Sequence, residues 1–297
     1  MMAPSRSIPM SSLLMWAVFA LAVSSLSSCA KKVPTLLPPT PIDFAQALQY
    51  AQRAALAYEP DDVIQQQSGQ GVRVTVSSPL SSGIRAYVEQ DDTRRMQWIV
   101  VRGTSNLINM RLDVDYNKVL DSRLQIPLHK GFADSALQVY QFAKPLLKSD
   151  YETRITGHSM GGAAAVIVLM LLKEDGLRLG QSITFGQPKV TNRDGARKYR
   201  SLPLLRFVND KDPVPLLPPL EVSVVLDEGP YQHFGPEVVL EDGANYHYYS
   251  DHQAQRLSVL SFWTNLKNLS IQDVPEHAMS TYVTRIQQKL TTPLPNR

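Results

Sequence analysis

The sequence predicts an α/β protein whose mostly parallel sheet is covered by helices on both faces. Three short runs rich in β-branched and aromatic residues come first, and strand-like and helix-like segments alternate after them. That order is typical of a parallel sheet, because parallel strands need crossover segments that pack on the sheet faces. The segment Ser159–Lys173 is apolar on nearly every side, which indicates a helix buried inside the fold.

The individual elements follow from the residue pattern in chain order. Phe44, Ala47 and Ala51 have helical spacing, so a first helix is expected after Pro41 and before Pro60. The predicted strands are Val72–Val76, Ile84–Glu89, Gln97–Arg102, Glu152–Thr156, Ile183–Phe185 and Leu204–Val208. The later predicted helices are Phe132–Lys148, Ser159–Lys173, Asn192–Tyr199, Ser250–Asn265 and Pro275–Leu290.

The composition is that of a globular protein. Of 297 residues, 43% are hydrophobic and 19% are charged, and the net charge is +3. So small a charge, carried by scattered Lys and Arg residues, gives no reason to expect nucleic-acid binding. The sequence has no internal repeat and no zinc-like or phosphate-loop pattern. Residues 42–297 are expected to form a single domain.

The first residues form a segment of their own. Arg6 precedes an apolar stretch from Leu13 to Leu26, as in a secretory leader. The run Leu26-Ser27-Ser28-Cys29 resembles the bacterial lipobox, in which the chain is cut before a Cys that becomes acylated. We therefore expect residues 1–28 to be a signal peptide, Cys29 to be lipidated, and residues 29–41 to be a Pro-rich spacer.

Cys29 is the only cysteine in the sequence, so it cannot form an internal disulfide. Acylation explains this unpaired Cys, and the alternative is an incidental Cys in a leader that is cut downstream. Two or more acyl chains anchor a protein stably, since each buried CH₂ contributes about 0.8 kcal/mol. A lipid-anchored protein of the bacterial cell envelope is the expectation, and Ala30 in place of an aspartate favours the outer membrane.

The candidate nucleophile is Ser159 in Gly157-His158-Ser159-Met160-Gly161, a G-x-S-x-G pattern between a predicted strand and a predicted helix. A serine on such a sharp turn takes a strained backbone, and glycines on either side let neighbouring segments pass close. The alternative is a turn of small residues without a catalytic role. If an ester is cleaved here, the backbone N–H of Met160 is one expected oxyanion donor.

A serine hydrolase also needs a carboxylate and a histidine later in the chain. Asp210 and Asp212 both follow the predicted strand Leu204–Val208, and Pro213 pushes Asp212 toward an extended backbone. Among the later histidines, His247 and His252 are interpreted as surface residues, with His252 as the alternative base, and His233 is interpreted as a packing or turn residue. His277 opens the last predicted helix.

Five motifs follow one another along the chain: Val101-Arg102-Gly103-Thr104, His129-Lys130-Gly131-Phe132, Ile155-Thr156-Gly157-His158-Ser159-Met160-Gly161-Gly162-Ala163, Thr184-Phe185-Gly186-Gln187-Pro188-Lys189-Val190 and Asn209-Asp210-Lys211-Asp212-Pro213-Val214-Pro215. This ordered series resembles the class 3 lipases, the fungal-type triacylglycerol lipases of the α/β-hydrolase fold. The resemblance implies ester hydrolysis on acyl lipids without a cofactor or metal. It also implies Asp212 and His277 as the triad partners of Ser159, with Thr104 as a second oxyanion donor.

The resemblance also places a lid in this chain, and two alternatives to ester hydrolysis stay open. The family's lid lies between Thr104 and Gly131, where this sequence has Asn109-Met110 in place of the family's usual tryptophan. Transfer of the acyl group to another alcohol would use the same residues. The alternative of a different class is a catalytically silent hydrolase fold that acts as an envelope scaffold or binding lipoprotein.

Overall fold

A computed structural model of the chain describes residues 41–81, 83–103, 117–218, 229–251 and 275–291. The chain divides into a unit of residues 1–35, which lies outside the described residues, and a unit of residues 36–297, to which the following refers. The predicted leader and Cys29 therefore lie outside the described residues. None of the helices within the described ranges is long and apolar enough to cross a bilayer.

A sheet of eight strands forms the centre of the described fold. In their order across the sheet, the strands are β1 (Val72–Val76), β2 (Arg85–Asp91), β3 (Met96–Arg102), β6 (Glu152–His158), β7 (Ser182–Phe185), β9 (Leu204–Asn209), β11 (Glu237–Leu240) and β12 (Tyr246–Tyr249). The block from β3 to β11 is parallel, whereas β1 and β2 at one edge and β12 at the other edge run antiparallel to their neighbours.

A second, smaller sheet was not predicted from the sequence. It is antiparallel and contains four strands in the order β10-β8-β5-β4. Its strands have only two to four residues each, too few for an alternating apolar pattern to stand out. They are β4 (Lys118–Asp121), β5 (Ile126–His129), β8 (Thr191–Asn192) and β10 (Tyr231–Gln232).

Helices cover both faces of the large sheet, as predicted. The described helices are α1 (Phe44–Leu56), α2 (Asp61–Gln67), α3 (Lys130–Ala143), α4 (Met160–Glu174), α5 (Arg193–Tyr199) and α6 (Met279–Thr291). Strand β3 shows how the two cores arise, because successive side chains of a strand point to opposite faces. Ile99 and Val101 pack in the core with α3 and α4, whereas Trp98 and Val100 pack in the core with α1 and α6.

The helix α4 is the buried helix that the sequence predicted. Every residue from Gly161 to Leu172 is buried, so no polar face is needed. Helix α3 ends at Ala143, earlier than predicted, because Lys144–Leu146 forms a 3₁₀ turn around Pro145. The helix predicted over Ser250–Asn265 falls almost wholly outside the described residues.

Candidate active site

Ser159 sits on a sharp turn between β6 and α4. Its backbone has φ 57° and ψ −132°, a positive φ that is uncommon for a residue with a side chain. The Ser159 N–H donates to the carbonyl of Phe185 at 3.0 Å, and its carbonyl accepts from Gly162 N–H at 2.9 Å. The surrounding structure thus holds the strained residue in place, as is common at functional sites.

The glycines on either side of Ser159 are required by close backbone contacts. A Cβ on Gly157 would lie 2.5 Å from the carbonyl oxygen of Gly161, across the turn. A Cβ on Gly161 would lie 2.4 Å from the carbonyl oxygen of Val101 and 2.7 Å from the N atom of Gly103. The end of β3 therefore presses directly on the start of α4, which explains the spacing of glycines in the G-x-S-x-G pattern.

His277 and Asp212 form a buried pair. His277 Nδ1–H donates to Asp212 Oδ2 at 2.8 Å, and neither side chain has any exposed surface. The Tyr282 hydroxyl donates to the same Oδ2 at 2.5 Å, and the Val214 N–H donates to Oδ1 at 2.9 Å. A carboxylate in this position fixes the ring orientation of its histidine and leaves Nε2 available for chemistry.

Asp212 remains ionised despite its burial. Burial by itself raises the pKa of Asp212, but the charge of His277 opposes this effect. Hydrogen bonds from His277, Tyr282 and the Val214 N–H act in the same direction as that charge. The net result is a pKa below the usual range of an aspartate.

The structure distinguishes between Asp210 and Asp212, the two carboxylates that the sequence left as alternatives. Both lie in a turn after β9, where Lys211 has φ 66° and the Asp212 N–H donates to the Asn209 carbonyl at 3.1 Å. Asp212 points inward to His277, whereas the Asp210 side chain is 47% exposed and lies 3.9 Å from Lys211 Nζ. Of the two, only Asp212 can orient an imidazole.

The His277–Asp212 pair lies directly against Gly186. A Cβ on Gly186 would lie 2.8 Å from His277 Cε1 and 2.9 Å from Asp212 Oδ2, and its φ of 56° also favours glycine. The carbonyl of the preceding residue, Phe185, accepts the hydrogen bond from the Ser159 N–H. Within the described residues, Ser159 Oγ and His277 Nε2 are buried and have no hydrogen-bond partner. Unsatisfied buried polar atoms are uncommon, and a catalytic role is one established reason for them.

The main chain at His277 is also fixed by side chains. Asn209 Nδ2 donates to the carbonyl of Glu276 at 2.7 Å, and His158 Nε2 lies 2.7 Å from the carbonyl of His277 itself. The His158 ring stacks obliquely on the His277 ring, with centroids 4.6 Å apart. Sequence reasoning missed His158, Asn209, Tyr282 and Gly186 as parts of the site. The only local signal was their presence inside the quoted motifs or, for Tyr282, in the helix after His277.

The oxyanion side of the site is described in part. Met160 is the first residue of α4, and the first N–H groups of a helix have no acceptor within the helix. Thr104 lies outside the described residues, as do residues 105–116 of the expected lid. Gly103 is described and lies against the nucleophile, since a Cβ there would be 3.0 Å from Ser159 Cβ.

Of the other histidines that the sequence analysis considered, His233 and His247 contact groups outside the His277–Asp212 pair. His233 is buried and its Nε2 lies 2.7 Å from the Pro215 carbonyl, in agreement with a packing role. His247 is partly exposed on β12 and its Nε2 lies 2.8 Å from Glu241 Oε1. His252 falls outside the described residues. The described residues contain no cluster of His, Cys, Asp and Glu that could hold a metal ion.

Comparison with known proteins relates this arrangement to lipases. Residues 98–222 match the family model of class 3 lipases. A secreted mono- and diacylglycerol lipase of Fusarium solani is 29% identical over 171 residues, which is 54% of this chain and 49% of that protein. The chain thus spans about half the length of this relative.

Solved structures extend the likeness over more of the chain. Lipase II from Rhizopus niveus has a TM-score of 0.63 at 23% identity and covers 78% of this chain and 93% of its own. A triacylglycerol lipase whose catalytic centre is described as a serine protease triad has a TM-score of 0.62 at 24% identity, with coverage of 78% and 92%. The fold is therefore the α/β-hydrolase fold, as the sequence predicted.

Proposed function

We propose that this protein is a serine ester hydrolase that acts on acyl lipids, with Ser159, His277 and Asp212 as its triad. The observation that carries the proposal is the buried His277–Asp212 pair, whose imidazole contacts His158, the residue directly before a strained serine on a strand-to-helix turn. Ser159 Oγ and His277 Nε2 are the two atoms between which such chemistry passes a proton, and neither is engaged by another group within the described residues. A binding scaffold would have no need of this combination.

The reaction follows from the roles of these atoms. Ser159 Oγ attacks the ester carbonyl while His277 Nε2 takes its proton, and the positive imidazole is stabilised by ionised Asp212. The Met160 N–H and the backbone at Thr104 bind the oxyanion of the tetrahedral intermediate. Collapse of the intermediate breaks the ester bond, and His277 returns the proton to the leaving alcohol. Water then attacks the acyl-enzyme by the same steps, which releases the acid and restores Ser159.

Similarity supports the substrate class. The family model matched by residues 98–222 is that of class 3 lipases, and the Fusarium solani relative is a mono- and diacylglycerol lipase. Both names point to esters of acyl lipids. The matched segment includes β3, Ser159 and Asp212, but His277 lies beyond it.

The proposal is tested by hydrolysis of defined esters with the full chain in detergent. A panel of triacylglycerols, diacylglycerols and phospholipids should yield free fatty acid from at least one class. Ser159→Ala should abolish release while the folded protein keeps its circular dichroism spectrum, since a triad without its nucleophile retains only residual catalysis. A folded wild type that hydrolyses none of these esters would favour the scaffold alternative.

We also propose that Cys29 carries acyl chains that anchor the protein to a bacterial envelope membrane, with the outer membrane favoured. The support is the run Leu26-Ser27-Ser28-Cys29 after an apolar stretch, together with the absence of any other cysteine in the sequence. Mass spectrometry of the mature N-terminus should find an acylated Cys29, and Cys29→Ser should block that modification. An unmodified N-terminus downstream of Cys29 would contradict the anchor without affecting the hydrolase proposal.

A further inference from the structure

His158 is a buried histidine immediately before the nucleophile, and the triad chemistry does not use it. Its ring is held at both nitrogens. Nδ1 lies 2.8 Å from the Tyr58 hydroxyl, and Nε2 lies 2.7 Å from the backbone carbonyl of His277. Only 5% of its surface is exposed. Tyr58 lies two residues after the end of α1, so the His158 side chain joins three separate segments of the chain.

The direction of both hydrogen bonds follows from the chemistry of the partners. A carbonyl oxygen can only accept, so His158 Nε2 carries the hydrogen and donates it to His277. Nδ1 of the neutral ring is then an acceptor, and the Tyr58 hydroxyl donates to it. A protonated ring would leave Nδ1–H facing a hydroxyl that then has to turn its own hydrogen elsewhere.

The surroundings keep His158 in this neutral form. Burial lowers its pKa to about 3, and the nearby charge of His277 acts in the same direction. The same tautomer is therefore present at any pH at which an esterase is assayed. Burial also raises the pKa of Tyr58 to about 12, so its hydroxyl keeps the hydrogen that it donates.

Tyr58 extends the contact to the oxyanion side of the site. A Cβ on Gly103 would lie 3.0 Å from the Tyr58 hydroxyl oxygen and 2.7 Å from the His158 carbonyl oxygen. Gly103 is the last residue of the described range 83–103, and Thr104 follows it in the sequence. The His158 imidazole thus contacts the backbone of His277, and the Tyr58 hydroxyl that it binds lies beside Gly103, the residue before the expected second oxyanion donor.

We propose that the Tyr58–His158 pair is a positioning device that sets the place of His277 and of the Gly103 backbone relative to Ser159. Neither residue touches the reacting atoms, so they act through their neighbours. The inference rests on the proposed hydrolase function and deepens it. It predicts that loss of either hydrogen bond lowers kcat, with little change in Tm beyond that of a matched control variant and no change in KM.

The experiment compares Tyr58→Phe with Tyr87→Phe in the full chain, using p-nitrophenyl butyrate. Tyr87 is a matched control, since its buried hydroxyl also donates one hydrogen bond next to α1, at 3.0 Å to the Arg53 carbonyl. Tyr58→Phe should lower kcat roughly 10-fold with an unchanged KM, because the loss of one positioning hydrogen bond of ordinary strength raises the barrier of the chemical step and leaves substrate binding intact. Tyr87→Phe should leave kcat at the wild-type value with a similar loss of Tm.

Two variants of His158 separate positioning from packing. The amide of His158→Gln can reach the position of Nε2 and donate to the His277 carbonyl, whereas the shorter amide of His158→Asn can reach only the Tyr58 side. Turnover should therefore be higher in His158→Gln than in His158→Asn at matched Tm. The rate of Ser159 labelling by a fluorophosphonate should follow the same order.

The outcomes distinguish this inference from the proposed function. If the wild type hydrolyses esters but Tyr58→Phe behaves like Tyr87→Phe, the positioning role is refuted and the hydrolase proposal stands. Equal turnover in His158→Gln and His158→Asn would likewise refute it. A wild type that neither hydrolyses esters nor reacts with the fluorophosphonate would overturn both.

Discussion

Gly186 holds open the space that His277 and Asp212 occupy, and its replacement by Ala should disable the site in a folded protein. The new Cβ would lie 2.8 Å from His277 Cε1 and 2.9 Å from both Asp212 Oδ2 and His277 Nδ1. Carbon atoms attract best at about 3.5–4.0 Å, so the methyl group would force the imidazole and the carboxylate apart. The hydrogen bond of 2.8 Å between them would be lost.

The expected loss of activity is much larger than the expected loss of stability. Disturbing the aspartate–histidine contact of a triad lowers kcat by about 10⁴-fold in serine proteases, so a fall of roughly 10³-fold or more is expected for Gly186→Ala. The left-handed backbone at this position costs about 1–2 kcal/mol of unfolding free energy once a Cβ is present. Local repacking adds to that cost.

Gly176→Ala is the matched control for the backbone effect. Gly176 has φ 74°, and no atom lies within 4 Å of its Cβ position. This variant should lose a similar unfolding free energy and keep wild-type turnover. Initial rates on p-nitrophenyl butyrate and urea unfolding of both variants provide the comparison. Equal kcat/KM in the two folded variants would refute the assigned geometry of the His277–Asp212 pair.

Other predictions concern the same side chains. Asp212→Asn should lower kcat by about 10⁴-fold whereas Asp210→Asn should leave it unchanged, and the reverse order in steady-state kinetics would move the triad carboxylate to Asp210. Tyr282→Phe removes one donor from Asp212 Oδ2 and should lower kcat roughly 10-fold, with no change in rate counting against that contact.

Because the pKa of His158 falls from 6.5 to about 3 on folding, the unfolded chain binds the extra proton first as pH drops. The contribution of His158 to the free energy of unfolding should therefore be complete above pH ~6.5. It should fall by about 2 kcal/mol between pH 7 and pH 5. Urea titrations should show a difference of that size between the wild type and His158→Gln, and parallel pH profiles of the two proteins would contradict it.

Much of the large sheet could be predicted because its strands and helices have distinct patterns. Strand β1 has the predicted bounds, and α4 begins one residue later than predicted because Ser159 itself takes the non-helical turn. Strand β6 is polar at its start for a central strand. The reason is that Thr153 is satisfied by Gln97 on β3, at 2.8 Å, and Glu152 pairs with Arg154 at 2.7 Å.

The sequence could predict only those site residues that lie in a recognisable motif or in the expected order along the chain. Ser159 has a local motif, and Asp212 precedes a proline, but the choice of His277 depended on resemblance rather than on its own spacing. Tyr58 carries no local signal at all, since its partner His158 is 100 residues away and the contact exists only after α1 packs on the sheet. Such long-range hydrogen bonds follow from the tertiary structure and not from any pattern in the sequence.

Covalent labelling of the folded full chain by a fluorophosphonate measures whether Ser159 is an activated nucleophile. The reagent phosphonylates a serine only when a base and an oxyanion site activate it. We expect a single adduct per chain, found by peptide mass spectrometry at Ser159, which disappears in Ser159→Ala and forms far more slowly in His277→Ala. A folded wild type that stays unlabelled, or an adduct on another residue, would contradict it.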